Sequence, residues 1–283
     1  MIYNAINYRF VLVGLMTLLI LGCNPDVEEP NDPSNNGGSG NNNGGGGNHS
    51  CGIANLHNPN LSYGNAQDAE GNTYKTIVIG DQTWMAENLN TSVYRNGDPI
   101  ENITEIHDWL HSDTIEEGAW CYYNNNGSAF ECPYGKLYNY YAINDPRGVC
   151  PVGWHVPSDG EWQQLIGAID PAINLSANGY SAFESDSASF AMTSIWELPS
   201  PFLNTNRVGF SSLEAGHRFP IPTQQNDFEG VGNYSSYWSS TSQVNPQNQS
   251  EIHVKGRMIS WVGHLYRLDY PTNAGLTIRC VRD

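Results

Sequence analysis

The residues best suited to chemistry fall into four groups. Asn226-Asp-Phe-Glu-Gly-Val-Gly-Asn233 offers carboxylate and amide oxygens in a glycine-rich stretch. Hard cations take such ligands, so Asp227 and Glu229 are the candidates for calcium. His107-Asp-Trp-Leu-His111 sets two histidines one helical turn apart. Zinc sites use that spacing, but no third ligand accompanies the pair and no C-x-x-C occurs. Asp159 and Glu161 form a second acid pair, better read as helix capping than as glycosidase carboxylates. Asn233-Tyr-Ser-Ser-Tyr-Trp-Ser-Ser-Thr241 is the aromatic stretch most suited to a ligand, with Tyr234, Tyr237 and Trp238 as candidates. Strand alternation turns half of it inward and makes Trp238 the expected buried member. The sequence has no G-x-S-x-G elbow and no H-E-x-x-H helix. The reading is a protein without enzymatic activity.

The elements that would position these residues are short strands and long loops. Thr73 to Ile79 alternates, and Gly80-Asp81 separates it from Gln82 to Ala86, which predicts a hairpin with a Gly-first turn. Further strands are predicted over Ala119–Tyr123, Leu137–Tyr141, Tyr234–Ser240, Ile252–Ile259, Trp261–Leu268 and Leu276–Val281. In the last run Leu276, Ile278 and Cys280 share one face, and Thr277 and Arg279 the other. One helix is well specified. Ser158-Asp-Gly-Glu161 is a capping box, and Trp162, Leu165, Ile166 and Ile169 follow at i, i+3, i+4 and i+7. Trp162 is thereby a core anchor.

The amino-terminal part reads differently. Arg9 precedes the apolar run Phe10–Leu21, which is too short to span a bilayer and has the layout of a signal peptide. Gly22-Cys23 with Ile20 and Leu21 ahead of it resembles a bacterial lipobox. The expectation is cleavage before Cys23 and anchoring by lipid on that cysteine, with more than one acyl chain for stable attachment. Asn24 to Ser50 is Asn, Gly, Pro and Ser with a few acids, too little to offset ordering entropy. As a flexible tether it would average about 30 Å end to end. Asp26, Glu28 and Glu29 resemble an acidic signal for the outer face of the outer membrane. The expected organisation is signal peptide 1–22, lipidated cysteine and tether 23–50, and one folded domain 51–283. The expected location is the cell envelope, as an outer-membrane lipoprotein exposed at the surface.

Net charge is −17, without a Lys/Arg cluster, which argues against nucleic acid as a partner. The partners expected are the bacterial membrane, through Cys23, and an extracellular glycan or protein. Beyond Cys23 the cysteines are Cys51, Cys121, Cys132, Cys150 and Cys280. An exported chain can oxidise them, and the odd count leaves one over. Sequence does not fix the pairing; the preferred arrangement joins Cys150 to Cys280 and Cys121 to Cys132, with Cys51 left over.

A series of motifs runs through the chain in order. It includes Asp68-Ala-Glu-Gly-Asn-Thr-Tyr74, Ile79-Gly-Asp-Gln-Thr-Trp-Met-Ala-Glu-Asn-Leu89 and Tyr134-Gly-Lys-Leu-Tyr-Asn139. Cys150-Pro-Val-Gly-Trp-His-Val-Pro-Ser-Asp-Gly-Glu-Trp162, Gly209-Phe210, Ala215-Gly-His-Arg218, Tyr237-Trp-Ser-Ser-Thr241 and Ile278-Arg-Cys-Val-Arg-Asp283 complete it. Together they resemble the Fibrobacter succinogenes major paralogous domain, a family of exported bacterial proteins described mostly as surface lipoproteins of unknown role. Gly153 to Trp162 and the final Arg-Cys-Val-Arg are also similar to segments of formylglycine-generating enzymes. That remoter resemblance implies an α+β, C-type-lectin-like fold: short twisted antiparallel sheets, one or two helices, long loops, and a disulfide from a helix region to the last strand. Those enzymes need a reactive cysteine pair late in the chain, whereas only Cys280 lies in the final third here. The functional expectation is a lipid-anchored envelope protein displaying a non-catalytic binding or adhesion domain for glycans or partner proteins. The alternatives are a structural envelope component without a small ligand and, behind it, a hydrolase-type enzyme.

Overall fold

Ile79 pairs with Gln82 across Gly80-Asp81, and Gly80 takes φ +59, so the predicted hairpin closes through its Gly-first turn. The structure, a computed structural model, describes residues 56–172, 181–183, 186–193, 206–220, 227–245, 248–260 and 263–283. All lie in one unit, Gly44–Asp283. Cys23, the segments flanking it and Cys51 lie outside the described residues.

In chain order, β1 (Gly64–Gln67), β2 (Thr73–Ile79) and β3 (Gln82–Met85) come first. They are followed by β4 (Glu101–Asn102), α1 (Ile106–Thr114), β5 (Ala119–Cys121), α2 (Gly127–Phe130), β6 (Leu137–Tyr138) and α3 (Tyr140–Asn144). Next are β7 (Trp154–His155), α4 (Asp159–Ile169), β8 (Ser181–Phe183) and α5 (Asp186–Met192). The rest is strand: β9 (Ala215–Arg218), β10 (Phe228–Val231), β11 (Tyr234–Asn245), β12 (Asn248–Ser260), β13 (Leu265–Pro271) and β14 (Val281–Arg282). The strands make three sheets, ordered β1-β2-β3-β14-β7, β10-β9-β11-β12-β13-β8 and β4-β5-β6. Pairing is antiparallel except β4 with β5 and the single contact of β9 with β11. The fold class is α+β, with more helices than the one or two expected. Among the described residues no helix is long and apolar enough to cross a membrane.

Helix α4 forms as its sequence dictates. The Glu161 N–H donates to Ser158 Oγ at 3.2 Å, and the Ser158 N–H donates to Glu161 Oε2 at 2.7 Å, completing the capping box. Its stripe of Trp162, Leu165, Ile166 and Ile169 is buried against β2, β3 and β11. The Trp162 ring meets Trp84 at 4.8 Å, Tyr237 at 5.7 Å and Phe210 at 5.8 Å. Each such side chain contributes about 1.5–3 kcal/mol on burial.

Several predicted strands are shorter than expected; β3 ends at Met85 and β5 at Cys121, and two others differ more. Leu137–Tyr141 stops at Tyr138 because Asn139 turns the chain into α3: its Oδ1 accepts from the N–H groups of Ala142 and Ala119. Leu276–Val281 is strand only at its end, and neither of its faces meets solvent, since Thr277 and Arg279 are as buried as Leu276 and Ile278. The Trp261–Leu268 strand is shifted to Leu265–Pro271; 261–262 lie outside the described residues.

Cys150 and Cys280 form a disulfide across 130 residues, as expected. The expected Cys121–Cys132 bond is not made. Cys121 is a free thiol, fully buried on β5, whereas Cys132 sits on the surface, so their sulfurs face different environments. Cys132 is disulfide-bonded, but not to Cys121. Burial pushes the Cys121 thiol up to about 12 against the pull of the Arg218 guanidinium. Thiol titration of the native chain should therefore miss Cys121, which should react only in denaturant. The Cys150→Ser/Cys280→Ser variant should lose about 2–5 kcal/mol of stability by urea unfolding.

Candidate functional site

Strand β11 carries the three aromatic candidates, and the structure separates them. Tyr237 and Trp238 are both fully buried, on opposite faces of the sheet. The Tyr237 hydroxyl shares a 2.9 Å hydrogen bond with Ser212 Oγ, and its ring packs on Trp162 and Phe210. Trp238 Nε1 donates to the Tyr138 carbonyl at 2.7 Å, and its ring packs on Tyr270. Tyr237 and Trp238 are core anchors and not ligand platforms, because this part of β11 is covered on both faces. Tyr234 is different. It is half-buried at the strand's start, tilted against the His217 ring at 5.2 Å. Its ring lies over Gly230 so closely that a Cβ there would come within 2.2 Å of it, and Gly230 adopts φ +90.

Glu229 lies beside this tyrosine and Asp227 two residues before it on the chain, each engaged by a different base. Arg218 Nε donates to Asp227 Oδ2 at 2.6 Å. Its remaining nitrogens donate to the carbonyls of Ile103 and Thr104, and its guanidinium stacks on Trp109 at 4.4 Å. Glu229 Oε1 lies 3.0 Å from His217 Nε2, and that contact holds its carboxyl below the usual range. The Glu229 side chain is 55% exposed, so this acid stays open to solvent beside Tyr234. His107 and His111 lie on the exposed side of α1. Among the described residues no group of three or more His, Cys, Asp or Glu is placed to hold a metal ion.

Sequence reasoning missed three histidine–carboxylate networks. His217 Nδ1 meets Ser236 Oγ at 2.9 Å, giving Ser236–His217–Glu229. His57 sits 3.0 Å from Ser211 Oγ and 3.2 Å from Glu87 Oε1, giving Ser211–His57–Glu87. Serine hydrolases activate their nucleophile through this order of groups. Here both serines are fully buried. Ser211 Oγ also accepts from Asn206 Nδ2 at 3.0 Å, and Ser236 Oγ accepts from the Tyr270 hydroxyl at 3.0 Å. The two hydroxyls are thus engaged as parts of packed polar networks that fix loops. The third network is at the surface: His155 bridges Glu161 at 2.7 Å and Asp283 at 2.6 Å. His217 lies in the motif Ala215-Gly-His-Arg218, and His155 with Glu161 in Cys150–Trp162, whereas His57 lies in none.

What remains open is a face formed by Tyr234 and Glu229, backed by the buried His217, at the β9–β10–β11 end of the six-stranded sheet. An aromatic ring beside an exposed carboxylate, held on strands, can stack on an apolar face and accept hydrogen bonds from hydroxyl or amide donors.

Residues 77–282 match the Fibrobacter succinogenes major domain, and the chain belongs to that family. The matched region begins within β2 and runs through β14, so it contains the hairpin's turn, β3 and the terminal strand that pairs with β3. No curated protein and no solved structure matches the chain.

The surface network has a pH signature. Burial pulls His155 down, but its hydrogen bonds to Asp283 and Glu161 outweigh that and raise it above 6.5. Burial pushes Glu161 up, yet the hydrogen bonds from Ser158 and His155 hold it below 4.5. The histidine's contribution is complete below its ordinary value and is lost as pH rises through the raised one; the glutamate's is complete above 4.5 and is lost as pH falls. Wild type should exceed His155→Gln most between pH 4.5 and 6.5, with convergence at alkaline pH, in urea midpoints measured across pH. With His155 40% exposed, solvent screening limits the difference to about 0.5 kcal/mol.

Proposed function

We propose that the protein is a lipid-anchored component of the bacterial cell envelope, attached through Cys23, that displays a non-catalytic binding or adhesion domain for glycans or partner proteins. The observation that carries the reading is the partly exposed Tyr234 beside Glu229 and His217, set on paired strands and not on a free loop. Membership in a family whose motifs run through the folded region accords with it, as does the lipobox-like Gly22-Cys23 ahead of an Asn/Gly-rich segment. The burial of both relay serines supports a non-catalytic role.

The fold is read as C-type-lectin-like. Small antiparallel sheets, short helices, long loops and the Cys150–Cys280 bond from the approach to α4 to the chain's end support this. Calcium at Asp227 and Glu229 would compete with Arg218 and His217 for the same oxygens, so the binding reading does not depend on an ion.

Glycan-array screening followed by calorimetry tests the proposal. Tyr234→Ala should weaken any ligand found by about tenfold or more while leaving the melting temperature within a few degrees. A wild-type chain that binds nothing on the array and captures no envelope protein favours the structural-component reading. Cys23→Ala should move the folded chain from the membrane fraction to the soluble one, and a misfolded variant would count against a modular anchor.

A further inference from the structure

Lys136, just before β6, is 3% exposed. Its ammonium nitrogen donates to the Asn90 carbonyl at 2.5 Å and lies 3.2 Å from Asn90 Oδ1. Asn90 is 7% exposed, and its Nδ2 donates to Glu131 Oε1 at 3.1 Å. The rings of Trp120 and Tyr122 cover Lys136 at 4.5 Å and 5.3 Å. Amine and carboxamide thus meet beneath two aromatic rings, with the part-buried Glu131 carboxyl on the amide nitrogen of Asn90. We propose that this constellation forms an intramolecular isopeptide bond between Lys136 and Asn90, with Glu131 as the proton carrier.

The atoms balance without a co-reactant. The neutral Lys136 Nζ attacks Asn90 Cγ, which lies one bond of about 1.23 Å behind Oδ1. As the new C–N bond forms, Glu131 takes a proton from the amine. It returns that proton to Nδ2 as the Cγ–Nδ2 bond breaks, and ammonia leaves with the bonding pair. Amine plus carboxamide becomes a secondary amide plus ammonia, nothing is oxidised or reduced, and Glu131 ends as it began.

Three features drive the step. Burial lowers the Lys136 pKa against the opposing pull of Glu70, Glu131 and Asp68, which favours the neutral nucleophile. Fixed juxtaposition supplies an effective concentration of roughly 10⁵ M or more, enough to make an otherwise sluggish amide exchange intramolecular. Trp120 and Tyr122 exclude the water that would compete for the carbonyl carbon. The inference is independent of any ligand at the Tyr234 face.

Peptide mapping of the full chain, reduced, alkylated and cut with trypsin, reads the bond directly. Cleavage after Lys75, Arg95 and Arg147, but not after modified Lys136, should join Thr76–Arg95 to Asn96–Arg147. The joined species should weigh about 17 Da less than the two peptides together, the mass of one ammonia. Ammonia loss at Asn96-Gly97 or Asn126-Gly127 would neither join the peptides nor block cleavage at Lys136. Lys136→Arg and Glu131→Gln should each yield unjoined peptides from a chain that still melts cooperatively. Free Thr76–Arg95 with cleavage after Lys136 in the wild type would overturn the proposal, and a joined species persisting in Glu131→Gln would overturn the role of Glu131.

Discussion

Residues 275–280 are hydrogen-bonded, one after another, to all three sheets. Gly275 exchanges bonds with Arg218 of β9, Leu276 with Tyr138 of β6, and Thr277 accepts from the Trp238 N–H of β11. Ile278 and Cys280 then accept from the N–H groups of Leu89 and Met85, where the chain leaves β3. Val281 follows as β14, between β3 and β7. A segment buried on both faces can exist only if its backbone groups are satisfied, and here the bonds are shared among β9, β6, β11 and the end of β3. The sheets are therefore tied to one another through this segment as well as through the apolar clusters they share.

Arg279 is the sharpest part of that constraint. It is fully buried, and among the described residues no carboxylate is in hydrogen-bonding contact with it. Its guanidinium donates to the carbonyls of Phe210 at 2.6 Å, Ser211 at 2.8 Å and Met85 at 3.2 Å, and to Asn88 Oδ1 at 2.6 Å. A planar donor fork with nearly every N–H engaged offsets a desolvation cost that a lysine could not recover. Arg218 and Arg257, equally buried, use acids instead: Asp227 for the first and Asp159, shared with Arg267, for the second. In so acidic a chain, Asp227, which resembles a metal ligand in one dimension, is the counterion of a buried arginine in three.

This distinction marks what could be read from the sequence. Local rules sufficed where the partners are local: the capping box at Ser158 and Glu161, the Trp162 stripe and the Gly80 turn. The Cys150–Cys280 pairing was also anticipated. Alternation failed at Tyr237 and at Thr277 because it presumes one wet face, and both strands run through the interior. The pairing of Cys121 with Cys132 failed for a related reason, since proximity in sequence does not reveal that one thiol points inward and the other outward. His57 and Ser211 had no local signature, and the motif that holds Glu87 does not point to them, because the residues of that network are up to 154 positions apart.

The position of the Lys136–Asn90 pair follows from the same architecture. The Lys136 N–H donates to the Leu89 carbonyl, while the Leu89 N–H donates to Ile278 within the buried terminal segment. Two residues beyond Lys136, Tyr138 holds Leu276 from the other side. A covalent tie there joins the two strands of chain that cradle the segment, 46 residues apart. Cys150–Cys280 fixes that segment's far end by a different chemistry. A disulfide yields to reductant and an amide does not, so the cradle would outlast the clasp under reducing conditions. Closing loops in the unfolded chain raises stability without altering a native contact. The bond would therefore leave the Tyr234 face geometrically unchanged while making the scaffold behind it harder to unfold.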